Sequence, residues 1–188
     1  MVATKDRIYE TAVELFYERG YNGTTLRDIC GRAGVRPPSV YYHYEDKQGL
    51  LYAILKKATV DSTELLKSRI EGLEAPEDRL AAAIQAHVEW HTSRQLEAFV
   101  ADAEMPRLEG AWREEVRALR RAHEEIFRDI LDAGLEAGRF APTDAALLTR
   151  MLLTGATGVS AWYREDGADD PAAIADVFVS ALLRGLTS

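Results

Sequence analysis

Polar side chains able to trade hydrogen bonds with phosphates or bases gather in one short stretch of this chain. Ser39, Tyr42 and His43 follow two consecutive prolines, Pro37 and Pro38, and Lys47 lies just beyond. The first turn of a helix carries amides without an acceptor, so prolines there cost little and mark where the helix starts. Hydroxyl, phenol, imidazole and ammonium groups on its outer face suit phosphate oxygens and base edges. A second group is His87 and His91 in HVEWH, with His123 further on. Imidazoles four apart share a helix face and could hold a metal. Glu89 sits off that face, so the arrangement of HExxH metalloproteases is missing, and two ligands do not make a site. These histidines therefore read as core or pocket residues, with no metal expected. The sequence has no nucleophile elbow, P-loop or dinucleotide glycine pattern, so no enzymatic chemistry and no cofactor are expected.

The elements that must position the first group are short. Leu26, Ile29, Cys30 and Ala33 recur at helical spacing, Gly34 follows, and Val40, Tyr41 and Tyr44 form a second apolar pattern. Gly34 falls where a left-handed residue ends a helix at least cost. Two helices joined by so tight a turn cross steeply, the geometry of a helix-turn-helix whose second helix enters a major groove. Upstream, Ile8, Ala12, Leu15 and Phe16 predict an amphipathic helix over 4–19, and Thr24 and Thr25 can cap the next one. Asp46 caps a helix over 47–69 that leaves this region for the next. Downstream, Pro76 starts a helix carrying both HVEWH histidines, and Pro106 opens a long one with Trp112, Val116, His123 and Phe127 inward. A helix runs from about Asp144 to Tyr163, and Asp170 with Pro171 begins the last.

Composition narrows the classes. With 188 residues, 47% hydrophobic, the chain can bury a sizeable core. It shows no apolar run of membrane-spanning length and no apolar leader, so a cytoplasmic protein without membrane attachment is expected. The single cysteine, Cys30, rules out an intrachain disulfide and reads as a small core side chain. The net charge of −8 is unevenly spread. Residues 1–58 hold 9 Lys+Arg against 7 Asp+Glu, and residues 59–188 hold 14 against 24. Only the first part can approach phosphates, and it is mildly basic, so tight binding calls for two copies.

Residues 7–51, RIYETAVELFYERGYNGTTLRDICGRAGVRPPSVYYHYEDKQGLL, resemble the DNA-binding domain of the TetR family of bacterial transcriptional regulators. The match runs ungapped through Ala12, Leu15, Phe16, Gly20, Tyr21, Thr24, Thr25, Ile29, Ala33, Gly34, Val35, Tyr41, His43, Lys47 and Leu50. The resemblance implies DNA contacts from Thr25, Arg27, Tyr41, Tyr42, His43 and Lys47. Arg36 stands where the family commonly has a serine or threonine cap; with Pro38 and Ser39 it completes the expected DNA-binding set. The fold this implies is all-α: a three-helix DNA-binding domain over 1–46 and a helical ligand-binding and dimerisation domain over 47–188, linked by the helix 47–69.

Leu147, Leu148, Met151, Leu152, Leu153, Val159 and Trp162 cover more of their helix than one buried face requires. They read as half of a four-helix homodimer interface, as the resemblance also implies. The resemblance further implies an inducer pocket, for which the large inner side chains are His87, Trp90, His91, Phe99, Met105, Trp112, His123, Phe127, Met151 and Trp162. The stretches RRAHEEIFRDILDAGLEAGRFAPTD and LLTGATGVSAWYREDG are similar to a TetR subgroup linked to fatty-acid and steroid catabolism, which implies an acyl-CoA thioester as the inducer. The expectation is a ligand-responsive regulator, a repressor that binds a palindromic double-stranded operator as a homodimer. A metal-binding helical protein or enzyme built on His87, His91 and His123, and a DNA-architectural protein without a ligand, are the alternatives.

Overall fold

Prolines, aspartates and one threonine set where six of the described α-helices begin. Each either lacks the amide hydrogen that a first turn leaves orphaned or offers an oxygen to one. The computed structural model describes residues 4–187, and among the described residues all regular structure is helical. The helices are α1 (Thr4–Arg19), α2 (Leu26–Ala33), α3 (Pro37–His43), α4 (Lys47–Ile70), α5 (Pro76–Ser93), α6 (Gln95–Ala103), α7 (Gly110–Glu136), α8 (Ala145–Thr157), α9 (Val159–Trp162) and α10 (Pro171–Leu186). Prolines occupy the first turns of α3, α5 and α10. Asp46 Oδ1 accepts from the Gly49 amide at 2.7 Å, and Asp144 Oδ1 from that of Leu147 at 2.9 Å.

Two expected boundaries move. Pro106 opens only a 3₁₀ turn, Met105–Arg107, because Leu108 leaves the helical region (φ −72°, ψ 139°) and is fully buried; α7 begins at Gly110, whose φ is +58°. The helix expected over 144–163 breaks at Gly158. There the Ser160 hydroxyl takes the Thr157 carbonyl at 3.0 Å, competing with the backbone ladder.

The packing divides the chain into two units. The first holds the residues up to Thr59 together with Leu96–Ala118. Its core joins Ile8, Ala12, Leu15 and Phe16 of α1, Ile29 and Cys30 of α2, Val40 of α3, Leu50, Leu51, Ile54 and Leu55 of α4, and Val100 of α6, all buried. The second holds Val60–Gln95 and Leu119 onward, with Leu66, Leu80, Ile84, Phe127, Ile130, Leu131, Phe140, Leu152 and Leu186 in one cluster. In it the chain doubles back after α7. The Arg139 and Phe140 amides both return to the Gly134 carbonyl, at 2.9 and 3.1 Å, and lay the Phe140 ring against Gly134. Residues 1–3 and 188 of the expected domains lie outside the described residues.

Candidate nucleic-acid interface and the buried histidines

α2 and α3 are held at a fixed turn by purely local bonds. Thr25 caps α2 in a reciprocal box: its Oγ1 accepts from the Asp28 amide at 3.2 Å, while Asp28 Oδ2 accepts from the Thr25 amide at 2.8 Å. The Thr25 hydroxyl, which also donates to Asp28 Oδ2 at 2.5 Å, and the Thr25 amide hold the Asp28 carboxyl below its ordinary range. Gly34 ends the helix with φ +64°, and the Val35 amide returns to the Cys30 carbonyl at 3.0 Å. Arg36 caps α3 with its backbone only, so this charged side chain stands exposed at the start of the helix.

α3 presents an aromatic surface. Tyr42 is 84% exposed and Tyr41 59%; the His43 ring stands edge-on to Tyr42 at 4.9 Å. Pro38, Thr25 and Arg27 are also exposed, and Ser39 is half-buried. Tyr41, which the apolar pattern put inside, is thus outside. Val40 and Tyr44 alone anchor this part of the chain, and burial pushes the Tyr44 phenol up to about 12.

Lys47 is bound within its own unit. Its Nζ donates to the carbonyls of Tyr21 and Thr24, both at 2.9 Å, and lies 4.0 Å over the Tyr21 ring. Burial lowers its pKa. The ammonium caps the turn between α1 and α2 from beneath, which a spacing-based reading of a basic residue could not foresee.

Further groups hold this module, and no local pattern in the sequence marks them. The Tyr9 hydroxyl donates to Glu97, a buried carboxylate on α6. Glu104 Oε1 accepts from the Tyr21 amide at 2.9 Å. Gln48 joins three points: its Nε2 donates to the Tyr21 hydroxyl (3.0 Å) and the Arg107 carbonyl (2.9 Å), and its Oε1 accepts from the Glu109 amide (3.2 Å). Lys56 bonds Glu115 at 2.8 Å, which raises the pKa of the lysine and lowers that of the glutamate.

The expected inducer residues separate. Phe99, Met105 and Trp112 belong to the first unit, where Phe99 meets Tyr17 edge-on at 5.1 Å and Trp112 stacks on Tyr52 at 5.3 Å. Met151 and Trp162, expected inside, are 62% and 50% exposed because they lie on the outer face of α8 and α9. His87, His91, His123 and Phe127 do come together, buried in the second unit along with Trp90. His87 Nδ1 and His123 Nε2 are 3.3 Å apart; His87 Nε2 is 3.1 Å from Thr157 Oγ1, and His123 Nδ1 is 3.0 Å from Thr63 Oγ1. This chain Thr63–His123–His87–Thr157 ties α4, α7, α5 and α8, and in either direction it gives each ring one proton. His91 Nδ1 donates to the His87 carbonyl at 2.8 Å, which fixes its tautomer, since a carbonyl only accepts. Burial and the two neighbouring imidazoles hold the His87 pKa well below its ordinary value. Among the described residues no three His, Cys, Asp or Glu side chains are placed to hold a metal, and no helix is long and apolar enough to cross a membrane.

Two family models match this chain, one in its N-terminal part and one over most of the remainder. The model described as "Bacterial regulatory proteins, tetR family" matches residues 8–54, and "Tetracyclin repressor-like, C-terminal domain" matches residues 73–186. A solved bacterial regulatory protein of the tetR family from Rhodococcus RHA1 is 30% identical, with a TM-score of 0.93 over 99% of this chain and 98% of that one. The HTH-type transcriptional repressor KstR2 of Rhodococcus jostii (strain RHA1) is 26% identical, over 98% of this chain and 91% of its own length. AibR, solved in complex with isovaleryl coenzyme A and operator DNA, shares the fold at 24% identity, with a TM-score of 0.87 over 95% of this chain and 97% of that one. This chain belongs to the TetR family of bacterial regulatory proteins.

Proposed function

We propose that this protein is a repressor that reads a palindromic operator as a homodimer and releases it when a small hydrophobic ligand of the acyl-CoA thioester class binds. The observation that carries the DNA half is the face of α3, where Tyr41, Tyr42 and His43 stand outward on a helix led by Pro37 and Pro38, beside Arg36. Phenols and an imidazole supply donors and flat apolar faces to base edges and thymine methyls, while Arg36, Thr25 and Arg27 reach phosphates. A helix of seven residues, as α3 is, covers few base pairs. Two copies about 34–36 Å apart double the reading and suit successive major grooves.

The ligand half rests on the second unit. Its buried imidazole chain and the rings of Phe127 and Trp90 combine apolar bulk with a few fixed polar atoms, the composition of a small-molecule site. The thioester class is supported by the sequence pattern of residues 120–167 and by isovaleryl coenzyme A in a protein of the same fold. Ligand acts by preferring the dimer whose reading helices are wrongly spaced, and it lowers DNA affinity by no more than that preference.

The test is selection of bound DNA from a random pool with the full-length protein. A palindromic consensus bound at least about a thousandfold above random duplex is expected. Binding indifferent to sequence would instead identify an architectural protein. With the operator in hand, acyl-CoA thioesters of graded chain length are titrated; failure of all of them to release DNA refutes the ligand class and leaves the reading surface standing.

A further inference from the structure

α8 and α10 turn an apolar and partly charged face outward. Leu147 (60% exposed) and Met151 lie one turn apart on α8, and Gly155 continues their stripe. A Cβ on Gly155 would lie 3.3 Å from the Phe178 ring of α10, so the two helices pack closely there, beside Val177, which is 69% exposed. Along α10 runs a shallow groove of about 500 Å³ lined by Asp176, Val177, Ser180, Ala181 and Arg184. Small residues occupy its middle, an acid stands one turn before Ser180, and a base one turn after. The Arg184 Nε donates to the Ser180 carbonyl at 3.1 Å, which draws the side chain back over the middle of the groove.

We infer that two copies of this chain meet across α10 with Ser180 at the two-fold axis, so that Asp176 of each copy pairs with Arg184 of the other. The inference rests on the homodimer reading above and adds its register. A closed two-fold contact must be self-complementary, each patch meeting its own copy reversed. When two α10 helices run antiparallel about Ser180, residues four before and four after that point lie level, each about 6 Å along the axis from it. Ser180 and Ala181 let the helices approach to about 8 Å, within reach of a carboxylate–guanidinium pair. The like charges, Asp176 with Asp176 and Arg184 with Arg184, stay about 12 Å apart along the axis, beyond the screening length of about 8 Å at physiological salt. A slip of one turn to either side would pair neither acid with a base.

Charge reversal tests the register in the full-length protein. Sedimentation equilibrium at low salt gives the dimer dissociation constant of the wild type, Asp176→Arg, Arg184→Asp and the double exchange. Each single reversal sets two like pairs face to face and is expected to weaken the dimer at least about tenfold. The double exchange restores it to within about threefold, and raising the salt narrows all differences. Circular dichroism checks folding, and Asp176→Asn, which removes attraction without adding repulsion, falls between wild type and reversal. A dimeric wild type whose single reversals bind as before, or whose double exchange fails to recover, overturns the Ser180 register and leaves the homodimer intact. A wild type that stays monomeric at micromolar concentration overturns both.

Discussion

Replacing Lys47 by methionine separates two roles that a basic residue beside a reading helix can have. Methionine keeps the length and apolar stem of the side chain and removes only the charge. In wild type the ammonium makes two charge-assisted bonds of 2.9 Å to the Tyr21 and Thr24 carbonyls and sits 4.0 Å over the Tyr21 ring. A hydrogen bond to a charged group contributes about 1.5–3 kcal/mol and an exposed cation–π contact about 0.5–1 kcal/mol. Lys47 is half-buried, so the lower ends apply, and the two bonds and the ring contact together lose about 3.5 kcal/mol. For a chain of this size that lowers the melting temperature by about 7–14 °C. The assay pairs thermal unfolding with operator titration, using Tyr42→Ala as the contrast. Tyr42 is 84% exposed, so its truncation should shift stability by no more than about 0.5 kcal/mol while weakening operator binding. Lys47→Met should do the reverse at temperatures well below its midpoint, destabilising the fold more than it weakens binding. A Lys47→Met protein that melts like wild type yet loses operator affinity tenfold would refute this reasoning and return Lys47 to the DNA.

Three further substitutions probe the second unit. Gly134→Ala places a Cβ 2.1 Å from a Phe140 ring atom, so the ring must leave the core; chemical denaturation should show a loss of about 2–3 kcal/mol. Thr149 is fully buried with no partner for its hydroxyl, and Thr149→Val keeps its shape, so the same measurement should show a gain of about 1 kcal/mol. The pKa of His87 is well below 6.5 in the folded chain, so on acidification the unfolded chain takes up the proton first. The contribution is therefore fully present above about pH 7 and falls away as the pH drops below about 6.5. His87→Leu should flatten the dependence of the urea midpoint on pH across this range, and an unchanged slope would show that other groups set it.

The reading module was legible because its decisive signals are local. Gly34 at a positive φ, paired prolines at the start of α3, and Thr25 with Asp28 as a capping box each act within four residues of chain, so spacing alone reveals them. The capping box itself stood in the sequence as Thr-x-x-Asp and was available to be read in full. Exposure on α8 and α9 was legible only by half. The excess of apolar residues pointed to an interface, yet the same pattern also counted Met151 and Trp162 as lining an interior, because hydrophobicity does not say whether a face meets its own chain or another. Long-range partners were not legible at all. Trp112 stacks on Tyr52, Tyr9 bonds Glu97, and Lys47 turns toward Tyr21 because of where distant helices lie. The helical period places such side chains on a face and leaves the neighbour unnamed.

A ligand response needs a route for its free energy, and the path of the chain limits the choices. The chain passes from one packing unit to the other after Thr59, after Gln95 and after Ala118. The first and last of these points lie inside the unbroken helices α4 and α7; the second lies at the start of α6, one residue past Arg94, where α5 ends with φ −120° and ψ 39°. Gln95 is held by the Ser160 and Tyr163 carbonyls of the second unit, at 3.0 and 2.6 Å, whereas Glu97, two residues later, holds Tyr9 of the first. An unbroken helix passes on rotation and displacement of its far end with little loss, while a junction between helices absorbs them in its dihedral angles unless both sides are anchored, as they are here. Releasing DNA a hundredfold requires about 2.7 kcal/mol of difference in ligand affinity between two states. If the proposed ligand site includes the buried chain Thr63–His123–His87–Thr157, which has a member on both α4 and α7, a ligand that separates its imidazoles would act on the two continuous helices at once.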